Sequence, residues 1–271
     1  MASPSHFDRP PTPRTIGAVH WRGLWTLYAK EVRRFLNVAT QTLVAPMVTT
    51  LLFLAIFTLA LGGAGRVVEG VDFARFLAPG LIMMSLMQNS FANTSSSLVM
   101  AKVQGNIVDV LMPPLSATEL NLGIAGGGIT RGLLVGMATG LAMWVFVPLG
   151  LHAPLAVIYF AINGAVMLAF LGVVAGIWAE RFDHIAAVTN FVIVPMSFLS
   201  GTFYSISRLP PEWQVVAQFN PFFYLIDGLR YGFIGRSDSE LWVGVVVVLA
   251  VNAGLWLLTQ RMFATGYRLK P

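Results

Sequence analysis

Long apolar runs separated by short polar and basic segments set the organisation of the chain. Runs free of charge in their interiors occur at residues 41–63, 76–98, 131–150, 155–179, 185–206 and 241–261, each about 20–25 residues long. That is the length a helix needs to cross a hydrocarbon layer ~30 Å thick. Because an ionised side chain at mid-bilayer costs about 2.5–3.5 kcal/mol, stretches without Asp, Glu, Lys or Arg mark the spans. The predicted fold class is therefore an all-α polytopic membrane protein with six transmembrane helices. The third and fourth spans form a hairpin: no charged residue lies between Gly132 and Ala179, and Pro148, Gly150, His152 and Pro154 supply the turn.

Ahead of the first span, WRGLWTLYAKEVRRFL places Trp21, Leu24, Trp25, Tyr28, Val32, Phe35 and Leu36 on an arc of about 120° at helical spacing, with Arg22, Lys30 and Arg33 opposite. This pattern predicts an amphipathic helix within residues 17–40 that lies flat on the membrane surface. Residues 1–16, with four prolines and little apolar content, read as a disordered tail. The six-helix domain follows at 41–261 and a basic C-terminal tail at 262–271.

Two connections have patterns of their own. Between spans two and three (loop 100–121), AKVQGNIVDVLMPPLSATELNLG predicts a short helix from about Ala101 to Leu111, stopped by Pro113 and Pro114. Ser116 and Glu119 then form a capping box that starts the next helix. Val103, Ile107, Val110 and Leu111 fall on one side of the short helix, which is either an interfacial connector or a docking element for a partner. Between spans five and six (207–235), Pro210 and Pro211 start one half-helix, and Asn220 as N-cap with Pro221 in the first turn start a second. At roughly 22 Å the second piece is too short to span, so the pair reads as a re-entrant hairpin. In it Asp227 and Arg230, three apart, can pair along one helix face and reach water or headgroups, while Phe222, Phe223, Leu225 and Tyr231 anchor in the interface.

The third span carries Gly128, Gly132, Gly136 and Gly140, a four-residue period that lets another helix approach closely. The second span is polar along one stretch, with Gln88, Asn89, Asn93 and Ser96 as candidate pathway lining; helix–helix hydrogen bonding accounts for the same residues equally well.

Composition agrees with a membrane protein: 56% hydrophobic, 11% charged, mean hydropathy +0.73. The net charge of +5 needs no nucleic acid, since basic residues flanking the spans account for it. With both termini in the cytoplasm, twelve lysines and arginines, Arg131 among them, face inward and five, Arg230 among them, face outward, which favours that orientation. No cleavable signal sequence of the usual form precedes the first span. The absence of cysteine excludes thiolate catalysis and Cys-ligated metal. IAGGGITRG lacks the Lys-Ser/Thr ending of a phosphate loop, and neither a convergent His, Asp and Glu set nor a mid-span acid is evident, which leaves a lipid-modifying membrane enzyme and an ion-driven transporter as weaker alternatives.

FARFLAPGLIMMS (Phe73–Ser85), VLMPPLSATEL (Val110–Leu120) and NPFFYLIDGLRYGFIG (Asn220–Gly235) resemble, in order and spacing, the membrane permeases of type-2 ABC exporters. The likeness covers nearly the whole chain and is nearest to short bacterial permeases of the nodulation and multidrug type. It implies the permease subunit of an ATP-driven exporter of amphipathic, lipid-linked or drug-like substrates: a homodimer, multi-pass in the bacterial inner membrane among its lipids, with a separate ABC ATPase subunit holding ATP and magnesium. This chain would then bind no cofactor or metal and have no catalytic residues. By the same resemblance Gln104, Ile107, Val108, Asp109 and Leu111 correspond to the helix that couples to the ATPase. Asn220, Pro221, Tyr224, Asp227 and Arg230 correspond to the external re-entrant gate. Gly105 inside the coupling segment departs from a good helix former by up to ~1 kcal/mol relative to Ala.

Overall fold

A computed structural model describes residues 19–61, 67–68 and 70–269. The expected tail at 1–16, and the cations Arg9, Arg14, Arg66 and Lys270, lie outside the described residues. The described chain is predominantly helical, and five of its helical segments are long and apolar enough to cross a membrane by length and composition.

The first helix, α1 (Trp21–Leu36), has the bounds its apolar spacing predicts. Its buried side, however, is rotated to one edge of the apolar arc: Leu27, Glu31 and Phe35 point inward, while Trp21 and Trp25 are 71% and 67% exposed. Contacts advance together along α1 and the start of α5 (Ala117–Phe146). The His20 amide donates to Glu119, Leu27 lies on Gly123, Tyr28 on Gly126 and Glu31 on Gly127. Thus α1 runs alongside α5, and an aromatic edge is left on the outside.

A π-helical turn, Thr40–Val44, leads into α2 (Ala45–Leu61), and a second, Thr189–Ile193, joins α7 (Phe182–Val188) to α8 (Val194–Leu199). Each ends two residues before a proline, Pro46 or Pro195. A proline ring donates no N–H and clashes with the carbonyl four residues back, and a widened turn accommodates both. After α2, a hairpin of β1 (Val67–Val68) and β2 (Val71–Asp72) enters α3 (Phe73–Val103). The Asp72 carboxylate caps that helix by accepting from the Ala74 amide at 3.1 Å.

At the centre of the bundle stands α3, which packs on α2, α5, α6 (Pro154–Trp178) and α10 (Pro221–Ile234). It is more polar than the five segments above, and most of its residues are buried. The glycine period of α5 meets it directly: Gly128 lies against Ser90 and Thr94, Gly132 and Gly136 against Leu86, and Gly140 against Ile82. A Cβ on Gly132 would sit 2.9 Å from the Leu86 carbonyl oxygen, so close approach requires glycine there.

Several expected boundaries move. The short helix at Ala101–Leu111 is divided, because α3 continues to Val103 and Gly105, at φ +74°, ends it in a left-handed turn before α4 (Ile107–Leu111). Instead of starting at 131, the third long helix starts at Ala117, where the Ser116–Glu119 capping box forms as expected. Arg131 consequently lies near the middle of α5 rather than at the first residue of a span. The fifth apolar run ends at Leu199 instead of 206. The two half-helices form where the prolines predict, as α9 (Pro211–Gln218) and α10, and the last long helix is α11 (Leu241–Thr265).

Candidate functional site

Three groups of residues stand out, one at each end of α3 and one in its middle. In the middle, the polar residues of α3 meet α1 and α5. Asn93 is fully buried, and its backbone carbonyl and side-chain oxygen accept bonds of 2.6 and 3.1 Å from the Arg34 guanidinium. Ser96 accepts from the same guanidinium at 3.3 Å. Arg34 pairs in turn with Glu31 at 3.2 Å, and the Glu31 carboxylate, only 1% exposed, accepts from Ser97 Oγ at 2.7 Å. One turn along α3, Asn89 donates to the Ser85 carbonyl and accepts from the Arg131 guanidinium at 2.9 Å. Gln88 and Asn89 also line a groove of about 260 Å³ between α2 and α3.

Sequence reasoning names Gln88, Asn89, Asn93 and Ser96 but misses the charged residues that hold them. Glu31 and Arg34 stay hidden because the helical arc runs through the tryptophans, which leaves Glu31 unassigned. The available signal is Gly127: a glycine opposite Glu31 gives the carboxylate room against α5. Two buried acids lie outside the charge-free runs, Glu31 in α1 and Glu119 in the first turn of α5. Glu31 is neutralised by Arg34, and Glu119 is committed to the capping box and the His20 amide.

At one end of the bundle, Ile107 of α4 is buried in a cluster with Leu27, Leu98, Ile177 and Phe263, and Val110 and Leu111 pack against it. Val108 and Asp109 face outward, and Gln104 sits exposed in the turn after α3 rather than in the helix. Val103, expected on the apolar side of this segment, is 55% exposed. Between α1 and α4 opens a cleft of about 600 Å³, lined in part by Arg22, Lys30, Asn106 and Asp109.

At the opposite end, Asn220 caps α10 by accepting from the Phe222 amide at 3.1 Å, and its amide nitrogen donates to Met196 O and Ser200 Oγ at the end of α8. Pro221 begins the helix and Gly235, at φ +69°, ends it, as the sequence predicts. Tyr224 is buried against Gly244 of α11. The expectation that Asp227 and Arg230 reach water or headgroups is corrected: they are 1% and 2% exposed. Asp227 accepts from the amides of Asp238 and Ser239, at 2.8 and 3.0 Å, and from both neighbouring serine hydroxyls at 2.7 Å. Arg230 donates to the Gly201 carbonyl at 2.6 Å and lies 4.0 Å above the Phe76 ring. Asp238 then binds Ser205 and the Ile206 amide, so α10, the loop after it and the segment after α8 form one stapled cap.

Comparison with known proteins fits this arrangement. The profile of a family described as ABC-2 type transporter matches residues 22–234. The inner membrane transport permease YadH of Escherichia coli (strain K12) is 39% identical over 247 residues, covering 90% of this chain and 96% of that protein. Nodulation protein J of Rhizobium leguminosarum bv. viciae is 26% identical over 243 residues, covering 87% and 91%.

Proposed function

The chain belongs to the ABC-2 type transporter family, and from that premise we propose that it is the membrane subunit of an ATP-driven exporter for amphipathic, lipid-linked or drug-like molecules. In this reading α2, α3, α5, α6, the α7–α8 segment and α11 are six spans, and α9 with α10 forms a re-entrant cap at the outer face. Both termini and α4 lie in the cytoplasm, where lysine and arginine are in excess. The membrane is a bacterial inner membrane, in keeping with the YadH relative. Two copies form the pathway, and separate ATPase subunits bind ATP and magnesium below them.

The observation that carries the reading is the form of α4. One side of it, Ile107, is locked into the cluster shared by α1, α3, α6 and α11, while Val108 and Asp109 project from the end of the bundle. Such an element moves with the spans and offers a surface to a partner, which is what transmission of a nucleotide-driven motion requires. Enzymatic chemistry on lipids finds less support, because the carboxylates of Glu31, Glu119 and Asp227 are each occupied by intramolecular bonds.

Co-expression with the ATPase encoded beside this chain tests the proposal. A detergent-stable complex that hydrolyses ATP is expected for the unaltered protein, and Asp109→Lys should uncouple or dissociate it. A purified chain that binds no nucleotide-hydrolysing subunit contradicts the reading.

A further inference from the structure

We propose that the groove between α2 and α3 binds the anionic headgroup of an amphiphile, with Arg131 as the countercharge. The fate of the bound molecule, carried or resident, rests on the transport reading; the site itself rests on the residues around it.

Charge balance is the first argument. Near the middle of α3, Lys30, Arg34 and Arg131 stand against one carboxylate, Glu31, and that carboxylate pairs with Arg34 and Lys30 at 3.2 and 3.7 Å. No acidic side chain lies within ion-pair distance of Arg131 among the described residues. Its guanidinium donates to a neutral oxygen, Asn89 Oδ1, and its buried Nε has no protein partner among them. A half-buried guanidinium in a long apolar helix carries a desolvation cost that a neutral amide offsets only in part. An incoming phosphate or carboxylate would offset the rest, and guanidinium geometry suits either.

The groove supplies the second argument. Asn89 both lines it and accepts from Arg131, so the cation stands one side chain away from the groove. Gln41, in the π-helical turn before α2, and Gln88 and Asn89, in the later part of α3, are polar lining, Thr49 and Thr50 of α2 follow, and Phe53, Leu81 and Met84 line the far end. Ser85 also lines the groove; it is 7% exposed, and its hydroxyl oxygen has no protein partner among the described residues. A buried hydroxyl left in that state costs about 1–3 kcal/mol unless a ligand or water completes it. A headgroup at the Gln41 end with acyl chains toward Phe53 matches this gradient.

Depth is the third. Arg131 lies about 21 Å along α5 from its first residue, while the whole helix is about 45 Å, some 15 Å more than the hydrocarbon layer. With the surplus at the α1 end, which α1 covers, Arg131 falls just inside the adjacent headgroup level. The groove is therefore reached from the leaflet on the α4 side.

The test is native mass spectrometry of the full chain in neutral detergent, titrated with dioleoyl phosphatidylglycerol or with dioleoyl phosphatidylcholine. The unaltered protein should retain the anionic lipid about tenfold more tightly, the scale of one charge-assisted contact. Arg131→Gln should abolish that preference without lowering the melting temperature in neutral detergent. Ser85→Leu, which fills the groove but keeps the cation, should weaken retention of the anionic lipid as well. Arg131→Lys should keep part of the preference and serves if the glutamine variant fails to fold. Saturable stimulation of the assembled ATPase by phosphatidylglycerol, lost in Arg131→Gln, identifies a transported anion; binding without stimulation identifies a resident lipid. Either supports the site, even if no ATPase partner exists. Equal retention of the two lipids by the folded protein, or a preference unchanged in Arg131→Gln, overturns it.

Discussion

The Arg34 guanidinium reaches across from α1 to the backbone carbonyl of Asn93, at 2.6 Å, in the middle of the most buried helix of the protein. Backbone carbonyls inside a helix are already engaged, so a cation at this distance constrains the local geometry of α3 as well as binding it. With Glu31 bonded to Arg34 and to Ser97, movement of α1 cannot leave α3 unaffected.

Arg34→Ala should therefore destabilise the protein by about 3 kcal/mol, the lower end for removing one partner of a buried pair because Arg34 remains 31% exposed. The double variant Glu31→Gln with Arg34→Gln should recover much of that loss, since no buried charge is then left alone. Thermal melts of the single and double variants in detergent measure the difference, and equal losses in both would sink the pairing argument.

Glycine spacing predicts a contrast between two positions. Gly132→Leu should cost about 1–3 kcal/mol or more, because its Cβ would meet the Leu86 carbonyl and the side chain has nowhere to turn. Gly254→Ala, where a Cβ meets nothing within 4 Å, should be neutral or stabilise α11 by up to ~1 kcal/mol. Expression level and melting temperature of the two variants check this.

Loss of the Asp227 carboxylate strips the partners from two backbone amides and two hydroxyls. Asp227→Ala should cost on the order of 2–3 kcal/mol and open the 236–240 loop to protease. Intact assembly and unchanged protease resistance, together with an altered substrate preference, would instead make Asp227 a ligand group.

The helices are legible in the sequence through their apolar runs and their punctuation: α1, the capping box at Ser116, the N-cap at Asn220 and the left-handed stop at Gly235 all stand where local chemistry puts them. Partners across helices are less legible. The period of α5 glycines announces a close neighbour but not that it is α3, and the tryptophans of α1 draw attention from the edge that holds Glu31. Asp227 and Arg230 look like a helix-surface ion pair at three-residue spacing. They also engage the loop after α10 and the carbonyl of Gly201, contacts that join segments no local pattern connects. The two π-helical turns also escape a reading by apolar runs, although Pro46 and Pro195 each signal a break four residues upstream.

Because the chain contains no cysteine, one introduced thiol reports one position. The most direct measurement of the account is cross-linking from Val108→Cys, on the outward side of α4, to the co-expressed ATPase, compared with Leu155→Cys at the opposite end of the bundle. An efficient cross-link from position 108 that changes when ATP is added is expected, and none from position 155. No cross-link from position 108 in a complex that nevertheless hydrolyses ATP would contradict it.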